Sequence, residues 1–504
     1  MDRLSSLDAS FLYIESDEAP LNMGTVSIFQ APESGFDHER LVSLIRRRLA
    51  FVPRYRQRVK FVPLGIFRPV WVDDTQFDVS FHVRRSALPK PGTRQQLDEL
   101  VARLMSRPLD RSRPLWEMYL IEGLANGQFA IVTKSHEALV DGLAALDISQ
   151  VILDSHPDTP AGPPDSWRPH SEPSSIELVS ASVTEVMTHP TAAIDVAVSS
   201  VRELVTSVQE IVDGGVKAAQ DSIQSVVSLA KFGTSSPLKA KLGAQRRFHS
   251  LDIELEQLRN LKSEARRVGI DATVNDIILS IVTGAMRSWL VKHDSLLSGA
   301  LSNDRFRALV PVSLEAPGPD PDGLGGRVNA YLIDLPIHEF DPADRLEEIV
   351  NQMSILDPSN EFMGAGAIVQ IAGFGPATMH ALGARVASTL ARRTYDLTVT
   401  NVPGPQHALF ASGSEMIATY PSIPLVPGQA LSVGLTSYNG SLHIGLMSDR
   451  DAVSDLSVLA AGFHDSVIGM RAALNQRYVR GVRGTIGLSG GVSGSAPHLR
   501  VVND

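Results

Sequence analysis

Apolar residues along this chain recur at two spacings, and the switches between them mark out its elements. Residues 25–29 (TVSIF) and 128–134 (QFAIVTK) read as strands, the second a buried one, while 38–49 carries apolar side chains at helical steps. The buried strand runs directly into a polar turn at 136–142, with a helix expected from Leu143. Further along, 251–255, 307–312, 328–335, 397–401, 430–438 and 441–447 read as strands, and 258–268, 274–293 and 454–475 as helices. Strands and helices interleaved in both halves predict an α/β fold.

Three stretches break this pattern. Residues 155–175 are rich in Pro, Ser and Asp and read as a linker or surface loop. Residues 175–231 read as helix, divided at Pro190. The stripe Val198, Val201, Val205, Val208, Ile211 and Val212 suits packing onto the lobes better than lipid contact, because Glu203, Glu210 and Asp213 make the polar face acidic. A second lobe is expected to start near Ser250. Residues 481–504, with GTIGLSGGVSGSAP, read as a flexible tail. These glycines lack the Lys-Ser/Thr ending of a phosphate loop. Asn439-Gly440-Ser441 has the form of a glycosylation sequon and reads as a turn.

Composition narrows the function. With 504 residues, two domains are the prior, and 43% hydrophobic with 20% charged residues is globular. The net charge of −10 argues against nucleic acid and against simple electrostatic attachment to anionic lipid. The absence of cysteine excludes disulfides, thiolate zinc sites and a cysteine nucleophile. No secretory signal or uninterrupted membrane span is apparent, and the apolar run 277–286, bounded by Asp276 and Arg287, reads as a buried helix. The expected location is cytoplasmic, with peripheral contact at the inner membrane or lipid droplets left open.

Candidate chemistry gathers in Lys134-Ser-His-Glu-Ala-Leu-Val-Asp-Gly142, which sets His136, Glu137 and Asp141 in a turn after a buried strand. This segment resembles the His-His-x-x-x-Asp-Gly motif of coenzyme A-dependent acyltransferases, a superfamily that includes chloramphenicol acetyltransferase and the condensation domains of nonribosomal peptide synthetases. Further blocks run in order along the chain: LSSLDASFL at 4–12, RPLWE at 113–117, TVNDIIL at 273–279, LVPVS at 309–313, TNVPGP at 400–405, Tyr420-Pro421 and SYNG at 437–440. Together they are similar to those of the bacterial wax ester synthase/diacylglycerol acyltransferase family, in its mycobacterial triacylglycerol-synthase form.

The resemblance implies two chloramphenicol-acetyltransferase-like lobes with a substrate channel between them, faced by the 136–142 loop. It divides the chain into an acyltransferase domain at 4–270, which takes in the linker and helical segment, a C-terminal domain at 300–475, and the tail. It implies an O-acyltransferase that makes triacylglycerol from diacylglycerol, or wax esters from long-chain alcohols. Long-chain acyl-CoA is then a substrate, and no separate cofactor or metal is expected. The family's second His is the general base, while its first His, Asp and Gly are mainly structural. Carried over, these are His136, Asp141 and Gly142, and the base position is Glu137. Pro114, Leu115, Trp116, Asn275, Asp276, Thr400 and Asn401 are candidates for the channel or substrate contact. Trp116 is as well explained by core packing. Asn275 and Asp276 are as well explained by a helix start capped by Thr273 or Asn275.

Glu137 is the main departure; Asn22 and Gly326 stand where the family often has His and Asn. An unperturbed Glu, near 4.3 against about 6.5 for His, gives up about tenfold in rate as a base. Glu137→His is therefore expected to raise activity tenfold or more. A buried Glu137 is costly unless paired or protonated, so it needs either a use or a nearby cation, for which Lys134 or a distant Arg could serve. The alternative is a catalytically weakened relative that binds acyl-CoA or lipid without turnover.

Overall fold

The computed structural model describes residues 2–63, 67–139, 148–158, 165–188, 236–293, 306–313, 328–355 and 395–489. The valine stripe, Pro190, Asp141, Gly142 and Gly326 lie outside them.

Two six-stranded sheets form the two lobes. In the first, the order is Phe410–Ala411, Ser414–Ser422, Asn22–Gln30, Gln128–His136, Trp116–Glu122 and Val83–Ala87. In the second it is Val328–Asp334, Arg307–Ser313, Leu397–Pro403, Leu431–Tyr438, Ser441–Asp449 and Arg246–Glu254. The expected strands are all present, some longer. The expected turn at Asn439-Gly440 is a tight hairpin with φ of 44° and 87°, the left-handed pair such a two-residue loop requires.

The lobes do not follow the chain in simple order. Ser414–Ser422 leaves the second half and pairs antiparallel with Asn22–Gln30 of the first sheet, Tyr420 opposite Val26. On its way it passes against the second sheet, where glycines make room. A Cβ on Gly445 would lie 1.9 Å from the Pro421 carbonyl oxygen, and one on Gly434 2.8 Å from the Pro421 side chain. Arg246–Glu254, before residue 270, is in turn an edge strand of the second sheet.

The seam between lobes is built on the helix Arg94–Met105, which opens with a Thr93–Gln96 capping box. Asp98 on this helix accepts hydrogen bonds from Ser250 N–H (3.1 Å) and Oγ (2.8 Å) on the second-sheet edge strand. Burial pushes the Asp98 carboxyl up to about 7. The Tyr420 hydroxyl donates to Asp252 at 2.8 and 2.9 Å.

Val274–Lys292 is the one described helix long and apolar enough by composition to cross a membrane. It lies in the second lobe's core, with Ile277, Val282, Ala285, Met286 and Trp289 buried, as expected for the 277–286 run. The final helix, Leu456–Ser489, runs past Asn475 and past Gly481, so the start of the expected flexible tail is helical; 490–504 lie outside the described residues. Ser175–Thr188 is helical as expected, and the helix expected from Leu143 is represented by the short Ile148–Val151.

Candidate active site

The motif sits at the end of the strand Gln128–His136, buried on every residue after Gln128, and continues into a short 3-10 turn, Glu137–Leu139. Neighbouring strands hold its end. His136 N–H donates to Leu115 O and Glu137 N–H to Leu21 O, both at 3.0 Å. Pro114 and Leu115 are therefore placed beside the motif, Leu115 through its backbone.

His136 is 1% exposed. Its Nδ1 accepts the Ala138 N–H at 3.0 Å, so in the neutral ring the proton is on Nε2. Nε2 faces Glu15 Oε2 at 3.4 Å, close enough for an ion pair but short of hydrogen-bond geometry. With the Nδ1 lone pair used and Nε2 protonated, His136 has no free basic site.

Glu15, just past the helix Ser6–Ile14, is a residue that sequence reasoning missed. Its Oε1 accepts Leu21 N–H at 3.0 Å, and its Oε2 accepts Arg111 Nη2 at 2.5 Å and Nε at 3.1 Å. Burial opposes its ionisation, but His136, Arg111 and the Leu21 amide outweigh burial and hold the carboxyl at about 2. Nothing in local spacing marks Glu15; its role appears only where the N-terminal helix meets the motif strand.

Glu137 is partly accessible. Among the described residues no hydrogen bond or ion pair reaches its carboxylate. Burial pushes its carboxyl up to about 7, and the Asp8 carboxylate adds to the rise. Lys134 does not serve as its cation. The Lys134 ammonium donates to Leu104 O (3.0 Å) and Arg107 O (2.5 Å) and lies 3.8 Å from Glu117. The reason is position: Lys134 lies inside the strand with its ammonium on two carbonyls near the end of helix Arg94–Met105, while Glu137 lies past the strand in the 3-10 turn. Burial lowers Lys134 to about 8.

The other candidates separate. Trp116 is core: it is 1% exposed, donates Nε1–H to Tyr55 O at 2.8 Å and stacks on His82 with centroids 4.6 Å apart. Thr273 caps Val274–Lys292, with Asp276 the other half of its capping box; Thr273 N–H donates to Asp276 Oδ2 at 2.8 Å and Asp276 N–H to Thr273 Oγ1 at 3.1 Å. Asp276 is thereby committed to the helix end. Asn275 is brought to Asn401, whose Nδ2 donates to its Oδ1 at 3.1 Å, joining two sequence-distant candidates. Thr400 precedes Asn401 on the same strand, opposite Gly434. Asn22 lies opposite His136, donates to Arg107 O at 2.9 Å and leaves its buried Oδ1 unpartnered among the described residues.

A cavity of about 460 Å³ opens at the lobe seam, lined by Arg94, Asp252, Tyr420 and His443 among others, but no motif residue lines it.

Residues 4–278 match the model of the wax ester synthase/diacylglycerol acyltransferase catalytic domain, and 324–471 match the WS/DGAT C-terminal domain. The chain belongs to the wax ester synthase/diacylglycerol acyltransferase family. Within that family it is 30% identical over 492 residues to the probable diacylglycerol O-acyltransferase tgs1 of Mycobacterium tuberculosis, covering 97% of this chain and all of that one. It is 48% identical over 192 residues to tgs3 of the same organism, covering 38% of this chain and 71% of tgs3. The family's fold is also present in the solved wax ester synthase/diacylglycerol acyltransferase of Marinobacter aquaeolei VT8, which superposes with TM-score 0.65 at 24% identity, covering 94% of this chain and 100% of that one. The first condensation domain of the CDA synthetase gives TM-score 0.52 at 15% identity over 93% and 95% of the two chains. The two-lobed family fold expected from the motif blocks is thus the fold observed.

Proposed function

We propose that this chain is an acyl-CoA-dependent O-acyltransferase that makes triacylglycerol from diacylglycerol, or wax esters from long-chain alcohols, with Glu137 as the general base. The relatives named as diacylglycerol O-acyltransferases support the reaction class. The Glu137 carboxyl at about 7 supports the role of the base, because a base works best with a value near the working pH. The tenfold deficit of an ordinary glutamate is removed by burial, and this speaks against a relative disabled at this position.

In this reading the Glu137 carboxylate takes the proton from the acceptor hydroxyl as its oxygen attacks the thioester carbonyl. The tetrahedral intermediate then expels the coenzyme A thiolate, and Glu137 returns the proton to that sulfur. Acyl-CoA and alcohol become ester and free coenzyme A, with no net proton change. Contact with a lipid surface is peripheral, since the acceptors are lipids and the one span-like described helix is packed in the core.

Labelled palmitoyl-CoA with a panel of diacylglycerols, alcohols and amines tests the reading. Wild type should form labelled triacylglycerol, and Glu137→Ala should lose about 10²–10⁴-fold. Equal rates in the two proteins would remove Glu137 from the mechanism.

A further inference from the structure

The backbone carrying Glu137 is fixed from one place. Leu21 accepts the Glu137 N–H through its carbonyl, and its own N–H is held by Glu15 Oε1, both at 3.0 Å. The other oxygen of Glu15 faces His136 Nε2 at 3.4 Å. Arg111 binds this second oxygen at 2.5 and 3.1 Å, and ties Glu15 to the helix Ser6–Ile14 through a 2.9 Å bond to Leu12 O. One carboxylate therefore meets both residues of the motif: His136 at its ring, Glu137 through Leu21. The side chains of Glu15 and His136 are 4% and 1% exposed, so water does not replace these contacts.

We propose that Glu15, braced by Arg111, is the positioning residue of this active site, fixing the orientation of the His136 ring and the backbone of Glu137 without touching substrate. It acts by geometry. A carboxylate held at about 2 stays ionised throughout the working range and has no proton to exchange there. Its negative charge lies 3.4 Å from His136 Nε2 and favours the ring orientation in which Nδ1 accepts Ala138 N–H and closes the 3-10 turn. A glutamine at position 15 can still accept from Leu21, but it loses the ionic hold of Arg111 and the negative charge that faces His136 Nε2. The turn then loosens, and a displacement of about 1 Å at a base costs roughly a hundredfold in rate.

The proposal rests on Glu137 being the base, and the experiment separates the two claims. Wild type, Glu15→Gln, Arg111→Gln and Glu137→Ala are assayed with palmitoyl-CoA and a diacylglycerol from about pH 5.5 to about pH 8.5, with rates normalised to folded protein by circular dichroism. Glu15→Gln should lower kcat by about 100-fold, leave KM for palmitoyl-CoA within about twofold, and keep the acid limb of the rate at the wild-type pH. A general structural role would instead lower melting temperature and folded fraction, with normalised kcat unchanged. Folded Glu15→Gln with wild-type kcat, or with a preserved plateau and a shifted limb, overturns the proposal. Should that variant not fold, Arg111→Gln takes its place, its side chain being 39% exposed. It should lose about tenfold in kcat at constant KM, and wild-type kcat would overturn the proposal equally. If Glu137→Ala is inactive while Glu15→Gln is fully active, positioning alone fails. If Glu137→Ala retains full activity, the base assignment fails first.

Discussion

Replacing Glu137 with glutamine keeps the side chain's shape and removes its proton chemistry, so it should lower turnover and raise stability together. In wild type the carboxyl stands at about 7 against an ordinary 4.5, with burial the main cause. The ionised fraction then rises from about a tenth near pH 6 to about nine tenths near pH 8, and kcat/KM should rise roughly tenfold over that interval. An ordinary glutamate would be ionised throughout and give a flat profile. Because this acid titrates higher when folded, the folded state holds the proton more tightly. Its penalty is absent below the unfolded value, grows as pH rises through the interval, and is complete above the folded value. At 1.36 kcal/mol per unit, the penalty is about 3 kcal/mol near pH 8 and under about 1 kcal/mol near pH 5. These are upper figures, since Glu137 is partly accessible. Urea unfolding of wild type and Glu137→Gln at both pH values measures the difference. Glutamine should stabilise clearly at the higher pH and little at the lower, while activity falls by about 10²–10⁴-fold. The same elevation changes the expectation for Glu137→His: with basicity already matched, histidine should alter the rate by no more than a few-fold rather than raise it tenfold. A flat wild-type pH profile, or a glutamine variant less stable than wild type near pH 8, would refute the reasoning.

Gly445→Ala should destabilise the protein by several kcal/mol, read as a lower urea midpoint, because its Cβ would lie 1.9 Å from the Pro421 carbonyl where strand Ser414–Ser422 crosses the second sheet. Thr273→Ala removes one half of the capping box at Val274–Lys292 and should cost about 1 kcal/mol without abolishing activity; a loss of turnover with unchanged stability would point to a catalytic role instead. High-salt or carbonate washing should release the protein from membranes, and recovery only with detergent would contradict peripheral association.

Much of the candidate site was legible as local pattern. The tight turn at Asn439-Gly440 and the helix start at Thr273 each depend on residues a few positions apart and formed where their spacing placed them, while the motif strand runs two residues past the expected Lys134 and takes in His136, which was expected in the turn. The burial of the 277–286 run followed from its apolar sequence. The ordered blocks from residue 4 to residue 440 likewise identified the family, because each is a contiguous string.

What only the tertiary structure decided depends on groups far apart in the chain. Strand Ser414–Ser422 joins the first sheet because the free edge of Asn22–Gln30 is available to it, and nothing in its own sequence names that partner. Lys134 turned to Glu117 and two carbonyls rather than to Glu137 because the end of helix Arg94–Met105 lies on its side, while Glu137 stands past the strand end in the 3-10 turn. The two acidic residues of the site differ for the same reason. Glu15 is held at about 2 by His136, Arg111 and Leu21, which converge on it from three segments and outweigh burial, and Glu137 is raised to about 7 by burial and the Asp8 charge. Sequence determined which groups stand in the turn; desolvation and charge, which depend on everything packed around a group, determined what each carboxylate can do.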